Sequence, residues 1–261
     1  MIWFADRISG FFAGRDPFQV LQDHESENLR QVKNRRTYRL VFENKVFYVK
    51  YHRGVGWKEI WKNLLQFKKP VISAANEYRA LNELSKLSIP TMTIAGFGIR
   101  NFNPANQDSF IITDELSGTV SLEEFTADWS KKPPVSELKH FLILKLAEII
   151  RRMHQAGINH RDCYLCHFHY SPEAKKLFVI DLHRAQCRKQ VPWHYLVKDV
   201  AGIYFSSMDL PLSKRDILRF ISIYSGRNVR QDIARGFWHS IQNTAGKLYR
   251  KEYGKNPPLQ F

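Results

Sequence analysis

Two aspartates of this 261-residue chain, Asp162 and Asp181, stand nineteen residues apart, in the runs Asn159–Phe168 (NHRDCYLCHF) and Ile180–His183 (IDLH). Phosphoryl transfer needs one carboxylate to orient an acceptor hydroxyl and a second to hold Mg²⁺ on nucleotide phosphates, and the pair suits those two roles. The same stretch admits other chemistry. Cys163, Cys166 and His167 spell CxxCH, the c-type haem attachment signature. Haem attachment takes place outside the cytoplasm, and the chain shows no export signal. A zinc site from Cys163, Cys166, His167 and His169 is too crowded to close a tetrahedron without Cys187. Redox CxxC motifs open a helix after a strand, and here the expected order is reversed.

His160, Arg161 and Asp162 resemble the HRD catalytic loop of protein kinases, and Asp181, Leu182 and His183 resemble the DFG that follows it. The resemblance implies that Asp162 is the catalytic residue and Asp181 the metal ligand. It also matches Lys50 to the lysine on the ATP phosphates and Glu77 to its ion-pair partner. Thr113 to Leu116 would be the hinge, with backbone groups of Asp114 and Leu116 on the adenine edge. Asp199 would anchor the catalytic loop from below. Two departures stand out. The phosphate-covering loop has no glycine between Gly14 and Gly54 and carries Lys33, Asn34, Arg35 and Arg36 instead. His167 occupies the place of the Asn that holds a second metal, and His183 that of the DFG glycine. Imidazole is a poor ligand for hard Mg²⁺, so Asp181 is the expected metal ligand, a second ion is left open, and His167 is expected beside the nucleotide. The segment from Asp181 to Asp199 lacks an APE-like ending, which favours a small or lipid-linked acceptor over a protein.

The same runs, NHRDCYLCHF and IDLHRAQ, closely resemble the lipopolysaccharide core heptose(I) kinases. GRDPF (14–18), YHRGVG (51–56), KNLL (62–65), Pro90–Thr93 and Leu196–Phe205 look like further pieces. This resemblance implies ATP and Mg²⁺ as cofactors and transfer of the γ-phosphate to the O4 hydroxyl of the first inner-core heptose. It also implies a bilobal, protein-kinase-like α+β fold, one domain over 1–261 with a small β-rich lobe (1–116), a mostly helical lobe (117–261) and ATP between them.

These residues need elements to hold them. Alternation in Tyr38, Leu40, Phe42 and Val46, Tyr48, Lys50 predicts a hairpin around Glu43 and Asn44, with Lys50 on its second strand. Ser73 looks like the N-cap of a helix to about Ser88, with Glu77 bordering the stripe of Tyr78, Leu81 and Leu84. Trp57 to Phe67 has the pattern of a basic amphipathic helix. Met92–Ile99 and Ser109–Thr113 look like strands. Ser121 with Glu124 spells a capping box. A long helix from Ser136 stops at Gly157 and delivers the catalytic loop. Phe168–Tyr170 and Leu177–Asp181 form a second hairpin, and helices are expected over 194–206, 213–224 and 229–253. Residues 1–18 either pack on the first lobe or form an interfacial helix, and packing is the simpler expectation.

Composition narrows the partners. With 40 Lys+Arg against 25 Asp+Glu the formal charge is +15, which suits a polyanion. A lipid A–core acceptor, the anionic inner face of a cytoplasmic membrane and an acidic protein are the expected partners; nucleic acid is not. No apolar run is long enough to span a bilayer, so a peripheral, cytoplasmic enzyme is expected. Three cysteines are too few for a disulfide framework. Rival functions are a heptose(II), Kdo or protein kinase, or a non-catalytic basic module that binds nucleic acid or membrane.

Overall fold

The computed structural model describes residues 1–258 apart from 26–27, 33, 66–70, 102 and 227–230. It divides into two compact units, the bilobal α+β organisation expected. One holds Met1–Glu83, Thr91–Ser117 and Leu182–Arg184; the other holds Leu84–Pro90, Gly118–Asp181 and Ala185–Phe261.

The first unit contains β1 (Ile2–Phe4), α1 (Asp6–Ser9), α2 (Pro17–Asp23), β2 (Asn28–Val32), β3 (Arg35–Phe42), β4 (Lys45–His52), α3 (Gly56–Leu65), most of α4 (Ala75–Lys86), β5 (Ile94–Arg100) and β6 (Asp108–Asp114). The strands make one sheet in the order β1-β5-β6-β4-β3-β2, with every pairing antiparallel. Glu43 and Asn44 take φ of 47° and 60°, the left-handed pair that a two-residue hairpin turn needs. Period-two alternation then sends Phe47, Val49 and Tyr51 into a core with Ile8, Phe12, Phe18 and Leu21. Tyr48, Lys50 and His52 point to the opposite face.

Residues 1–18 pack on this unit. Ile2–Phe4 extends the sheet through β5 and Ile8 is fully buried. Phe12 is buried as well, and α1 is a single turn. Ser73 accepts the amide of Ala75 at 3.3 Å but stands two residues before α4, so the N-cap position falls on Ala74 and not on the expected Ser73, and the helix ends at Lys86, short of Ser88. Helix α3 begins at Gly56, and the expected Gln66 and Phe67 lie outside the described residues.

The second unit follows as β7 (Val120–Ser121), α5 (Leu122–Thr126), α6 (Ser136–Gln155), β8 (Ile158–Asn159), β9 (Phe168–Ser171), β10 (Lys176–Val179), β11 (Gln186–Cys187), α7 (Trp193–Ser207), α8 (Lys214–Ser225) and α9 (Gln231–Tyr253). The Ser121 box is half made: its hydroxyl takes the Glu124 amide at 3.1 Å but donates to the Glu124 carboxylate at 3.0 Å. A complete box sits instead at Ser213 and Asp216. Gly157 ends α6 at φ 78°, and a Cβ there would lie 1.9 Å from the Arg188 carbonyl oxygen, so only glycine lets the chain turn under β11. That turn feeds directly into the catalytic-loop sequence.

Candidate active site

In the first unit Lys50 Nζ meets Glu77 Oε1 at 2.8 Å. Strand β4 presents the lysine and α4 the acid, as their positions on the two elements predict. Glu77 does more than border the buried stripe: it is fully buried, and its Oε2 has no hydrogen-bond partner among the described residues. A carboxylate so desolvated is tolerated because the ammonium faces it.

The basic stretch after β2 is divided by strand alternation. Arg36 pairs across from Tyr51, and its guanidinium donates to the carbonyls of Gln22 and His24 while lying over the Tyr38 ring at 4.5 Å. It therefore faces α2 and the core. Arg35 pairs across from His52, on the face of Lys50, so of these two arginines only Arg35 fits the expected substitution of charge for glycine.

The hinge expectation is modified at Asp114. Its amide donates to the Thr93 carbonyl at 2.9 Å, and its carboxylate takes two N–H bonds from Arg7, both 2.9 Å. The amide is thus committed within the sheet. Leu116 lies just beyond β6, after Glu115, whose carboxylate accepts from the Tyr48 hydroxyl at 3.2 Å.

In the second unit the catalytic-loop sequence is clamped by Asp199 of α7, as expected. This carboxylate is 1% exposed and accepts the amides of His160 at 2.6 Å and Arg161 at 2.8 Å. Two amides on two oxygens fix the turn in which Arg161 adopts φ 75°. The His160 ring donates from Nε2 to the Ile180 carbonyl at 3.0 Å, tying the loop to the residue before Asp181. Burial lowers the His160 pKa against the pull of Asp199, so the ring is a neutral strut.

His167 stands between the two aspartates. Its Nδ1 lies 2.6 Å from the backbone carbonyl of Asp162, which can only accept, so Nδ1 carries a hydrogen. Nε2 then faces Asp181 Oδ2 at 3.6 Å. Asp181 itself takes φ 54°, a left-handed conformation that turns the chain sharply after β10. Asp162, His167 and Asp181 are all part-exposed, as groups that meet a ligand must be.

Of the three cysteines Cys163 is buried, while Cys166 and Cys187 are half-buried. Cys163 is buried and its thiol is pushed well above the ordinary range by burial. Cys166 is raised to about 11, by burial and then by Glu123. Both carry the proton at neutral pH and are poor nucleophiles. Among the described residues no three His, Cys, Asp or Glu side chains converge on a metal position.

Sequence reasoning missed His154. Its Nε2 lies 3.3 Å from Asp199 Oδ2 and its Nδ1 2.8 Å from the Tyr224 hydroxyl, linking α6, α7 and α8 under the loop. The available signal was a histidine inside the buried stripe of α6, between Met153 and Gly157, where only a partnered ring is cheap.

A model of the lipopolysaccharide kinase (Kdo/WaaP) family matches residues 19–224. The chain is 42% identical over 247 residues to the lipopolysaccharide core heptose(I) kinase WaaP of Pseudomonas aeruginosa, covering 92% of each. It is 42% identical over 237 residues to WaaP of Escherichia coli, covering 88% of this chain and 89% of the relative. Among solved structures, WaaP in complex with acyl carrier protein matches with a TM-score of 0.81 and 35% identity, over 95% of this chain and 99% of that one. With its clamped HRD turn, its buried Lys50–Glu77 pair and a family match over residues 19–224, the chain belongs to the lipopolysaccharide kinase (Kdo/WaaP) family.

Proposed function

We propose that this protein is a lipopolysaccharide core heptose(I) kinase that moves the γ-phosphate of ATP to the O4 hydroxyl of the first inner-core heptose. The observation that carries the reading is the clamped catalytic turn: Asp199 accepts the His160 and Arg161 amides, His167 Nδ1 donates to the Asp162 carbonyl, and the same ring stands 3.6 Å from Asp181 Oδ2. Asp162 orients the acceptor hydroxyl and takes its proton as the O4–phosphorus bond forms and the bond to the β-phosphate oxygen breaks, ADP leaving with the electron pair. Lys50, held by Glu77, contacts the phosphates. Asp114, through its carbonyl, and Leu116 meet the adenine edge.

The donor set fits a single hard cation. Asp181 offers carboxylate oxygens and His167 only an imidazole nitrogen, so Asp181 would hold Mg²⁺. When bound, Mg²⁺ neutralises charge on the nucleotide phosphates. No helix among the described residues is long and apolar enough to cross a membrane. Contact with a membrane-anchored acceptor would be peripheral, at the inner face of the cytoplasmic membrane. The +15 charge favours that surface. A protein partner fits the same charge, and the solved relative is a complex with acyl carrier protein.

The test is incubation of purified protein and ATP with lipid A–core from cells lacking the gene, followed by mass spectrometry of the core. Phosphate on heptose I supports the reading. Phosphate on heptose II or Kdo reassigns the acceptor within the family.

A further inference from the structure

Helix α3 carries more apolar surface than the fold covers. Ile60 is 5% exposed and faces the protein, whereas Trp57, Trp61 and Leu65 are 51%, 60% and 79% exposed. At 100° per residue these three fall within an arc of about 80°, with Ile60 on one side of it and Lys58 and Lys62, both exposed, on the other. The exposed stripe is thus separate from the buried side and flanked by positive charge.

The entry to the helix is fixed. The Gly54 carbonyl accepts from Asn34 Nδ2 at 2.9 Å, and a Cβ at Gly54 would lie 2.3 Å from the Ala105 carbonyl oxygen. A glycine with no room for a side chain seats the start of α3 against residues 104–106.

We infer that α3 is the element that lies in an anionic lipid surface, with Trp57, Trp61 and Leu65 in the interfacial layer and Lys58 and Lys62 on the phosphate headgroups. Indole rings favour the headgroup boundary, and lysines beside an apolar stripe match a negative surface. The charge of the whole chain has the same sign. Among the other exposed apolar residues, Met1, Ile2 and Trp3 form a run at β1 with no lysine or arginine within the strand, so it lacks that complementarity. The inference deepens the proposed function by naming the surface that brings the enzyme to a lipid-linked acceptor.

The test is flotation of the full-length protein with vesicles of phosphatidylethanolamine and phosphatidylglycerol, compared with phosphatidylcholine alone. Wild type should float with the anionic vesicles, and Trp61→Ser or Leu65→Ser should each weaken that binding roughly tenfold. Lys58→Gln with Lys62→Gln should weaken it and flatten its salt dependence. Trp3→Ser should leave it unchanged. All these variants should melt like wild type and turn over a deacylated, water-soluble core acceptor at the wild-type rate. Wild-type binding by the α3 variants, an equal loss in Trp3→Ser, or no binding by wild type would each overturn the inference. So would loss of acyl carrier protein binding by the α3 variants with vesicle binding kept, which would make α3 a protein-docking face. Vesicle binding without turnover on any acceptor would count against the kinase reading alone.

Discussion

Glu77 holds Lys50 through a 2.8 Å ion pair from Oε1, while the acid is fully buried and its Oε2 has no hydrogen-bond partner among the described residues. Stability and activity therefore separate at this pair. Lys50→Met should cost about 3 kcal/mol, because a buried carboxylate is left without its cation. The double variant Lys50→Met with Glu77→Leu should regain most of that in chemical denaturation while remaining inactive. A double variant as unstable as Lys50→Met would show that the pair is not the source of the loss.

Asp199 uses both carboxylate oxygens on the His160 and Arg161 amides. Asp199→Asn replaces one acceptor with an NH₂ that faces a backbone N–H. The expected cost is about 1–3 kcal/mol, together with faster hydrogen exchange at those two amides and a fall in turnover. Unchanged exchange at His160 and Arg161 would mean the turn is held by other contacts.

Acid should weaken the first unit through His52. Burial, then the charges of Arg35, Lys50 and His183, hold its pKa down at about 3. The unfolded chain protonates this ring near pH 6.5, so below that value the unfolded state binds the extra proton. Its share of stability is complete above pH 6.5 and falls as pH drops from 6.5 towards 3, by about 2 kcal/mol between pH 6.5 and 5. His52→Gln should flatten the stability profile over that window. An unaltered slope would place the acid sensitivity elsewhere.

His167 should act on turnover more than on metal affinity. Its bond to the Asp162 carbonyl sets where that carboxylate stands, while Asp181 keeps its own backbone geometry, including the Ile180 amide bonded to the His167 carbonyl at 3.0 Å. His167→Ala should lower turnover roughly 10²-fold through misplacement, with little change in the Mg²⁺ midpoint. Asp181→Ala should be inactive at any attainable Mg²⁺. A large rightward shift of the midpoint in His167→Ala would make the imidazole a metal ligand.

Much of this site is legible in the sequence because its parts lie on elements with strong local signals. Alternation places Lys50 on a strand, helical spacing places Glu77 beside a buried stripe, and Gly157 marks where the loop begins. What stays hidden depends on tertiary choices. Arg35 and Arg36 look equivalent as neighbours, yet pleating sends one to the face of Lys50 and the other under α2. The Asp114 amide looks available until Thr93, the residue before β5, places its carbonyl on it. His154 carries no motif, and its value appears only when Asp199 and Tyr224 arrive from other helices. The apolar residues of α3 predict a helix but not that half of its apolar arc is left facing solvent.

The central claim rests on Asp162, and the most direct measurement is phosphate on heptose I in core oligosaccharide made with wild type or Asp162→Asn, read by mass spectrometry. The variant should fold, bind ATP and melt like wild type, since the Asp162 side chain is part-exposed and the loop is held through backbone atoms. Its turnover should fall by roughly 10²-fold or more, leaving heptose I unphosphorylated. Heptose I phosphorylated at the wild-type rate by Asp162→Asn would contradict the account.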